Sequence, residues 1–302
     1  MVWLLAACGS GLTPRPQAPA ARRDGRPLVL TSFTILADLA RNVAGDRLQV
    51  RSITRLGAEI HGYEPTPSDI QAAQGADLIL LNGLGLERWA ERFLAAAGAD
   101  VPTATLSHGM TPMLIAADRD AGKPNPHAWM SPRRTQVYVD RIVEAFSRLD
   151  PAGAAAYHRN GSRYKQQLQQ LDADLARSLA RVPPGQRLLV SCEGAFSYLA
   201  HDYGLQEAYL WPVNSDNQIT PRRMAAVIRA VRQRHVPAVF CESTVNDGPQ
   251  REVARATGAR FGGTFFVDSL SLPSGPAPTL LKLQQHNLDL IIQGLAGRGS
   301  QP

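Results

Sequence analysis

Two histidines in this sequence lie in short proline-rich stretches. Prolines follow His61 in the segment HGYEPTPSD (61–69), and prolines precede His127 in PNPHAWMSP (124–132). Proline fixes its own φ and pushes the preceding residue out of the helical region, so both stretches are predicted to be extended, stiff loops. Neutral imidazole is a common metal ligand. Two histidines on rigid loops therefore indicate a shared metal ion.

A helix is predicted to begin directly after each histidine loop. Thr66 can cap a helix whose first residue is Pro67, and Asp69 then completes a capping box. Ser131 and Pro132 form a second cap and first-turn pair after the other histidine. Each histidine is therefore expected just before a helix start.

Acidic residues follow the strand-like runs of the second half of the chain, namely Glu193, Glu242 and Asp268. Ligands of open parallel sheets bind outside the carboxyl ends of the strands, so all three are candidates for metal binding. We interpret Glu242 as a hydrogen-bonding or salt-bridge residue beside the site. The remaining histidines are interpreted as ordinary surface or hydrogen-bonded residues: His108, His158, His201, His235 and His286.

Strand-like and helix-like patterns alternate along the chain, which predicts an α/β fold with parallel sheets flanked by helices. In the first half, strand-like runs at 101–106 and 113–116 end the series. Apolar residues then recur at helical spacing over 152–181, which predicts a helix roughly 40 Å long. We expect two similar lobes, 28–150 and 183–302, joined by a rigid linker helix within 151–182.

The first 27 residues are expected to lie outside the folded body. Cys8 follows a short apolar run and small residues, as in a bacterial lipoprotein signal, and the following stretch is rich in proline, alanine and arginine. We therefore predict a lipid anchor at Cys8 and a tether through residue 27, on a periplasmic or cell-surface protein.

The composition argues against a nucleic-acid partner. The chain has 302 residues and a net charge of +6, but no basic run is interleaved with aromatic residues. The scattered arginines indicate a solvated surface. Cys192 and Cys241 each end an apolar run, so we expect two buried thiols, with a disulfide between them as the alternative.

The sequence resembles the cluster A-I solute-binding proteins of bacterial ABC importers for manganese, iron or zinc. The resemblance covers nearly the whole chain from residue 28 and rests on segments in the family's order: HGYEPTPSD (61–69), NPHAWMSP (125–132), SCEGAFSYLAHDYGL (191–205), WPVNSDNQITP (211–221), VPAVFCESTVND (236–247) and VDSLS (267–271). It implies that His61, His127, Glu193 and Asp268 are the metal ligands, one pair from each lobe. Asn125 stands where the family usually has Asp, Glu59-Ile60 replaces Asp-Pro, and Cys192 replaces Ser or Thr.

The resemblance implies a monomeric binding protein, not an enzyme, that delivers its ion to an ABC permease with an ATPase subunit. Two imidazoles and two carboxylates suit Mn²⁺ or Fe²⁺, whereas Zn²⁺ favours tetrahedral nitrogen and sulfur sites. The family's zinc members mostly have a third histidine in place of Glu193. We therefore expect Mn²⁺, with Fe²⁺ as the second candidate. The alternatives are a zinc-specific protein, a metal-dependent hydrolase using the same site, and an adhesin or metal-storage lipoprotein.

Overall fold

The structure is a computed structural model that describes residues 25–98, 101–116, 120–213 and 219–295. Cys8 and nearly all of the predicted tether lie outside these residues. No helix in the described part of the chain is both long enough and apolar enough to cross a membrane.

The first half forms one parallel four-stranded sheet with the strand order β2-β1-β3-β4. Apolar strands such as LVLT and LILL are buried in its centre, which is typical of parallel sheets covered by helices on both faces. The elements in chain order are β1 (Leu28–Thr31), α1 (Thr34–Ala44), β2 (Gln49–Ser52), α2 (Pro67–Gln74), β3 (Leu78–Leu81), α3 (Ala90–Ala96) and β4 (Thr103–Thr105).

The prediction of a strand at 113–116 is wrong. Only Leu114 forms a bridge there, antiparallel to Pro124. The amide of Ile115 donates to the carbonyl of Lys123, and the amide of Asn125 donates to that of Met113. Because these backbone groups bond within the loop that carries His127, the segment extends this loop and adds nothing to the sheet.

Two long helices follow, α4 (Pro132–Leu149) and α5 (Ala154–Ala180). The predicted stripe of α5 is buried, and the helix packs against α1 and α4 on the side of the first lobe. Gly161 lets α4 and α5 approach closely, since a methyl group there would come within 2.5 Å of Val143 Cγ2. At its other side α5 also packs against α6 (Ser197–Tyr203) and α9 (Leu280–Leu295) of the second half. A single helix therefore supports both halves of the molecule.

The second half contains two parallel strand pairs, β5 with β6 and β7 with β8. Its remaining elements are β5 (Leu188–Glu193), β6 (Gln206–Trp211), α7 (Pro221–Gln233), β7 (Ala238–Glu242), α8 (Gly248–Thr257) and β8 (Arg260–Phe265). The predicted fold class, α/β with parallel sheets flanked by helices and a long linker helix, is confirmed.

Cys192 and Cys241 form a disulfide that joins β5 to β7, with their Cα atoms 4.8 Å apart. The expectation of two buried thiols is therefore wrong, and the alternative pairing is the one the fold adopts. Gln250 on α8 adds a second link, because its Nε2 donates to the carbonyls of Val190 in β5 and Phe240 in β7. The fold places the two cysteines side by side although they are 49 residues apart in the sequence.

Candidate metal centre

Four buried side chains, those of His61, His127, Glu193 and Asp268, converge on one point between the two halves. One donor atom from each lies within 4.8 Å of all the others. His61 lies in the loop after β2, and His127 directly precedes a 3₁₀ turn, Ala128–Met130. Glu193 ends β5, and Asp268 follows β8. The structure therefore brings together all four residues that the resemblance implied.

The distances fit donors that could surround a single ion. His61 Nε2 lies 3.2 Å from His127 Nε2 and 3.3 Å from Glu193 Oε1, and His127 Nε2 lies 3.5 Å from that same oxygen. Asp268 Oδ1 lies 3.8 and 3.9 Å from the two imidazole nitrogens. Donors about 2.1 Å from one ion lie roughly 3 to 3.5 Å from each other, so a small contraction on the Asp268 side would complete the set.

The His61 loop is fixed by local hydrogen bonds. Glu59 Oε1 accepts from the backbone amide of His61 at 2.7 Å, and its Oε2 accepts from that of Gly62 at 2.8 Å. Thr66 and Asp69 form the capping box predicted from the sequence. Glu59-Ile60, which replaces the Asp-Pro usual in the family, therefore still provides a carboxylate that orders the His61 loop.

Asn125 fixes the His127 ring. Its Oδ1 accepts from the backbone amide of His127 at 3.0 Å and lies 2.9 Å from the ring Nδ1. Because an amide oxygen can only accept, Nδ1 carries the proton and Nε2 presents its lone pair to the other ligands. Burial and the neighbouring His61 hold the pKa of His127 well below its usual value, so the ring stays neutral and ready to bind a cation.

Ser131 lies at the N-cap of α4 as predicted, but its side chain makes no capping bond. Its Oγ donates to Asp202 Oδ2 at 2.7 Å instead. The expectation of a capping hydroxyl is therefore wrong: the Ser131 hydroxyl bonds to Asp202 on α6 of the second half and accepts from none of the first backbone N–H groups of α4.

Glu242 lies beside the centre and supports Glu193. Its Oε2 accepts from the Glu193 backbone amide at 3.2 Å, whereas its Oε1 is buried with no hydrogen-bond partner among the described residues. Burial and the nearby Glu193 charge raise the pKa of Glu242 well above its ordinary value. It lies outside the group of four and forms a separate group with Cys192 and Cys241. Cys192, being part of a disulfide, has no thiolate to offer as a soft ligand.

Hydrogen bonds hold the Asp268 turn against the first half. The indole Nε1 of Trp129 donates to the Val267 carbonyl at 3.0 Å, and the Gly57 amide donates to Ser269 Oγ at 2.7 Å. Thr244 Oγ1 also lies 3.4 Å from Asp268 Oδ2. The sequence analysis did not foresee this indole bond of Trp129. No sequence pattern could have revealed that bond, because its two partners belong to different halves of the molecule.

The electrostatics favour a divalent cation. Two imidazoles in their neutral form and two carboxylates have a formal charge of −2, which an ion of charge +2 would neutralise inside a buried site. The other described histidines, at positions 108, 158, 201, 235 and 286, take no part in this cluster. The arrangement can bind an ion with four protein ligands.

The chain matches characterised metal-binding proteins over nearly its whole length. Residues 29–294 match the family described as ZnuA, zinc-uptake complex component A, periplasmic. The iron-binding protein YfeA of Yersinia pestis is 48% identical over 266 residues, which cover 88% of this chain and 85% of YfeA. The manganese-binding lipoprotein MntA of Halalkalibacterium halodurans is 34% identical over 297 residues, which cover 98% of this chain and 96% of MntA.

A solved structure has the same fold. The manganese-bound periplasmic metal-binding protein from Candidatus Liberibacter asiaticus superposes with a TM-score of 0.83 at 36% identity. The match covers 89% of this chain and 100% of that protein.

Proposed function

We propose, for a chain that belongs to the ZnuA family of periplasmic metal-binding proteins, that His61, His127, Glu193 and Asp268 hold a single divalent transition metal ion as cargo. Members of this family are substrate-binding components of metal ABC transporters, and the chain is accordingly a binding protein and not an enzyme. The observation that carries the proposal is the convergence of these four buried side chains within 4.8 Å.

Mn²⁺ is the ion we propose as the physiological cargo, with Fe²⁺ second. Carboxylates can bind through one or both oxygens, so the two-histidine, two-carboxylate set can expand beyond four donors. Mn²⁺ and Fe²⁺ tolerate this expansion, whereas Zn²⁺ favours four tetrahedral ligands. The Irving–Williams order means that Zn²⁺ will still bind tightly in vitro, so selection in the cell depends on which ion is available.

We further propose how the protein is attached to the membrane and divided into lobes. It works as a monomer, outside the cytoplasmic membrane, and is anchored through a lipid on Cys8. The lobes are 28–150 and 183–302, with the linker helix within 151–182 between them. It passes the ion to a permease driven by its ATPase subunit. Because α5 packs against helices of both halves, we expect small lobe movements and no wide hinge opening.

Elemental analysis of protein purified from cells supplied with manganese, iron and zinc together tests the proposal. We expect about one equivalent of metal, mostly manganese, in the wild type and a loss of most of it in His61→Ala and Asp268→Ala. His158→Ala, which changes an exposed histidine on α5, is the matched control and should keep its metal. Equal metal content in all four proteins would refute the assignment of the ligands, and a zinc-filled wild type would favour the zinc alternative.

A further inference from the structure

The side chain of Asn125 bonds to both halves of the molecule at once. Its Oδ1 accepts from the backbone amide and ring of His127, as described above. Its Nδ2 points the other way and donates to the carbonyl of Gly194 at 2.7 Å and to Ser197 Oγ at 3.2 Å. Asn125 is buried, with 2% of its surface exposed, so water does not compete for these bonds.

The orientation of this amide follows from its partners. The His127 backbone amide can only donate, and the Gly194 carbonyl can only accept, so the oxygen must face His127 and the nitrogen must face Gly194. Ser197 Oγ donates its own proton to Glu207 Oε2 at 2.6 Å, which leaves a lone pair for Asn125. An amide satisfies both sides, whereas an ionised carboxylate would put an oxygen against the Gly194 carbonyl.

The second-half side of this contact is rigid and adjoins a proposed ligand. Gly194 follows Glu193 directly, and its amide donates to the Trp211 carbonyl at 3.0 Å. A Cβ at Gly194 would come within 2.9 Å of the Pro212 carbonyl oxygen, so only glycine fits there. Movement of the Gly194 carbonyl therefore requires movement of the turn that carries Glu193.

Tyr198 on α6 reinforces the contact through the backbone. Its hydroxyl donates to the Asn125 carbonyl at 2.8 Å and accepts from the Met113 amide at 3.0 Å. Bonds from Gly194, Ser197 and Tyr198 thus meet at one residue of the His127 loop. We call this set of four residues the Asn125 latch.

We propose that the Asn125 latch couples the two ligand pairs, so that His127 and Glu193 keep their bound positions only while the latch is closed. Asn125 is a positioning residue, since it contacts a ligand and the opposite lobe but not the ion. Breaking the latch separates a first-lobe ligand from a second-lobe ligand without any change in the ligands themselves. The proposal rests on the metal-binding function and adds to it a determinant of how fast the cargo is released.

Two variants break the latch from opposite sides. Asn125→Asp keeps the acceptor for His127 but sets a carboxylate against the Gly194 carbonyl. The double variant Ser197→Ala/Tyr198→Phe leaves Asn125 and all charges in place and removes partners in the second half. We expect metal release, measured by stopped-flow mixing with a chelator, to be roughly 10- to 100-fold faster in both, as for loss of buried hydrogen bonds.

Matched controls break equivalent bonds away from the cleft. In Asn160, Nδ2 donates to the Val43 carbonyl and Oδ1 accepts from Arg163, so Asn160→Asp makes the same chemical change between helices. Tyr203→Phe removes a hydroxyl on the same helix as Tyr198, where it bonds to Asp172. Both controls should release metal at the wild-type rate.

Amide hydrogen exchange of the metal-free proteins over residues 194–198 separates the latch from the metal-binding function. We expect faster exchange there in both latch variants than in the two controls. If wild-type protein binds no metal, the proposed function fails, while this exchange still tests the latch. If Ser197→Ala/Tyr198→Phe releases metal and exchanges amide hydrogens at the wild-type rates, the latch proposal is overturned. This holds even if Asn125→Asp releases metal fast, because Asn125 would then act only within its own loop.

Discussion

Removal of the Cys192–Cys241 disulfide should cost the metal-free protein much of its stability. The bond closes a loop with a sequence separation of 49. The chain-entropy relation for a loop of that length gives about 4 kcal/mol at 25 °C, because the cross-link restricts the unfolded chain. Both cysteines are fully buried, so a reductant must act on the unfolded protein before refolding.

Urea unfolding of metal-free protein measures this cost. The wild type is compared before and after reduction and refolding in a dithiol, beside Cys192→Ala/Cys241→Ala under the same two conditions. We expect a loss of about 4 kcal/mol in the free energy of unfolding of the reduced wild type. The double variant should be at least as unstable and insensitive to the reductant. Metal affinity should fall less than stability, since Glu242 still accepts from the Glu193 amide.

Counting the reactive thiols tests whether the disulfide forms. With Cys8 lipidated as proposed, unfolded, unreduced wild type should show no thiol that reacts with an alkylating reagent, and two, those of Cys192 and Cys241, after reduction. Reaction of Cys192 and Cys241 before reduction would show that the pairing does not form. A reductant-induced change in unfolding free energy below about 1 kcal/mol would refute the entropic argument instead.

Three further predictions concern packing and protonation. The pKa of His127 is lowered in the folded state, so below about pH 6.5 the unfolded chain binds a proton that the folded protein does not. Metal-free wild type should therefore lose up to about 1.4 kcal/mol of stability per pH unit on acidification beyond what His127→Gln loses. Urea titrations of both proteins at pH 7.5 and 5.5 measure this difference. Gly161→Ala should destabilise the protein by about 1–3 kcal/mol in thermal unfolding because it overpacks the α4–α5 contact, whereas Gly185→Ala, which meets open space, should be near neutral. Trp129→Phe should cost about 1–3 kcal/mol by leaving the Val267 carbonyl unpaired, and calorimetric titration should show weaker metal binding.

The family resemblance named the four residues that converge, and local chemistry defined how they are presented. The capping box of Thr66 and Asp69 forms as predicted, since it depends on residues three apart. The buried stripe of α5 also follows from spacing along one helix. The segment 113–116 was misjudged because its apolar pattern suits either a strand or a loop packed on the core, and only the bonding partners distinguish them.

The sequence by itself determined most of the elements, the proline-rich loops around His61 and His127, and, by resemblance, which four side chains converge. Only the tertiary structure decided the disulfide, the bond from Ser131 to Asp202, and the two-sided bonding of Asn125. Local patterns are set by neighbours within a few residues, whereas these contacts join segments 49 to 72 positions apart. Their partners exist only once α5 and the two sheets have packed, because packing alone brings such distant groups within hydrogen-bonding or disulfide distance.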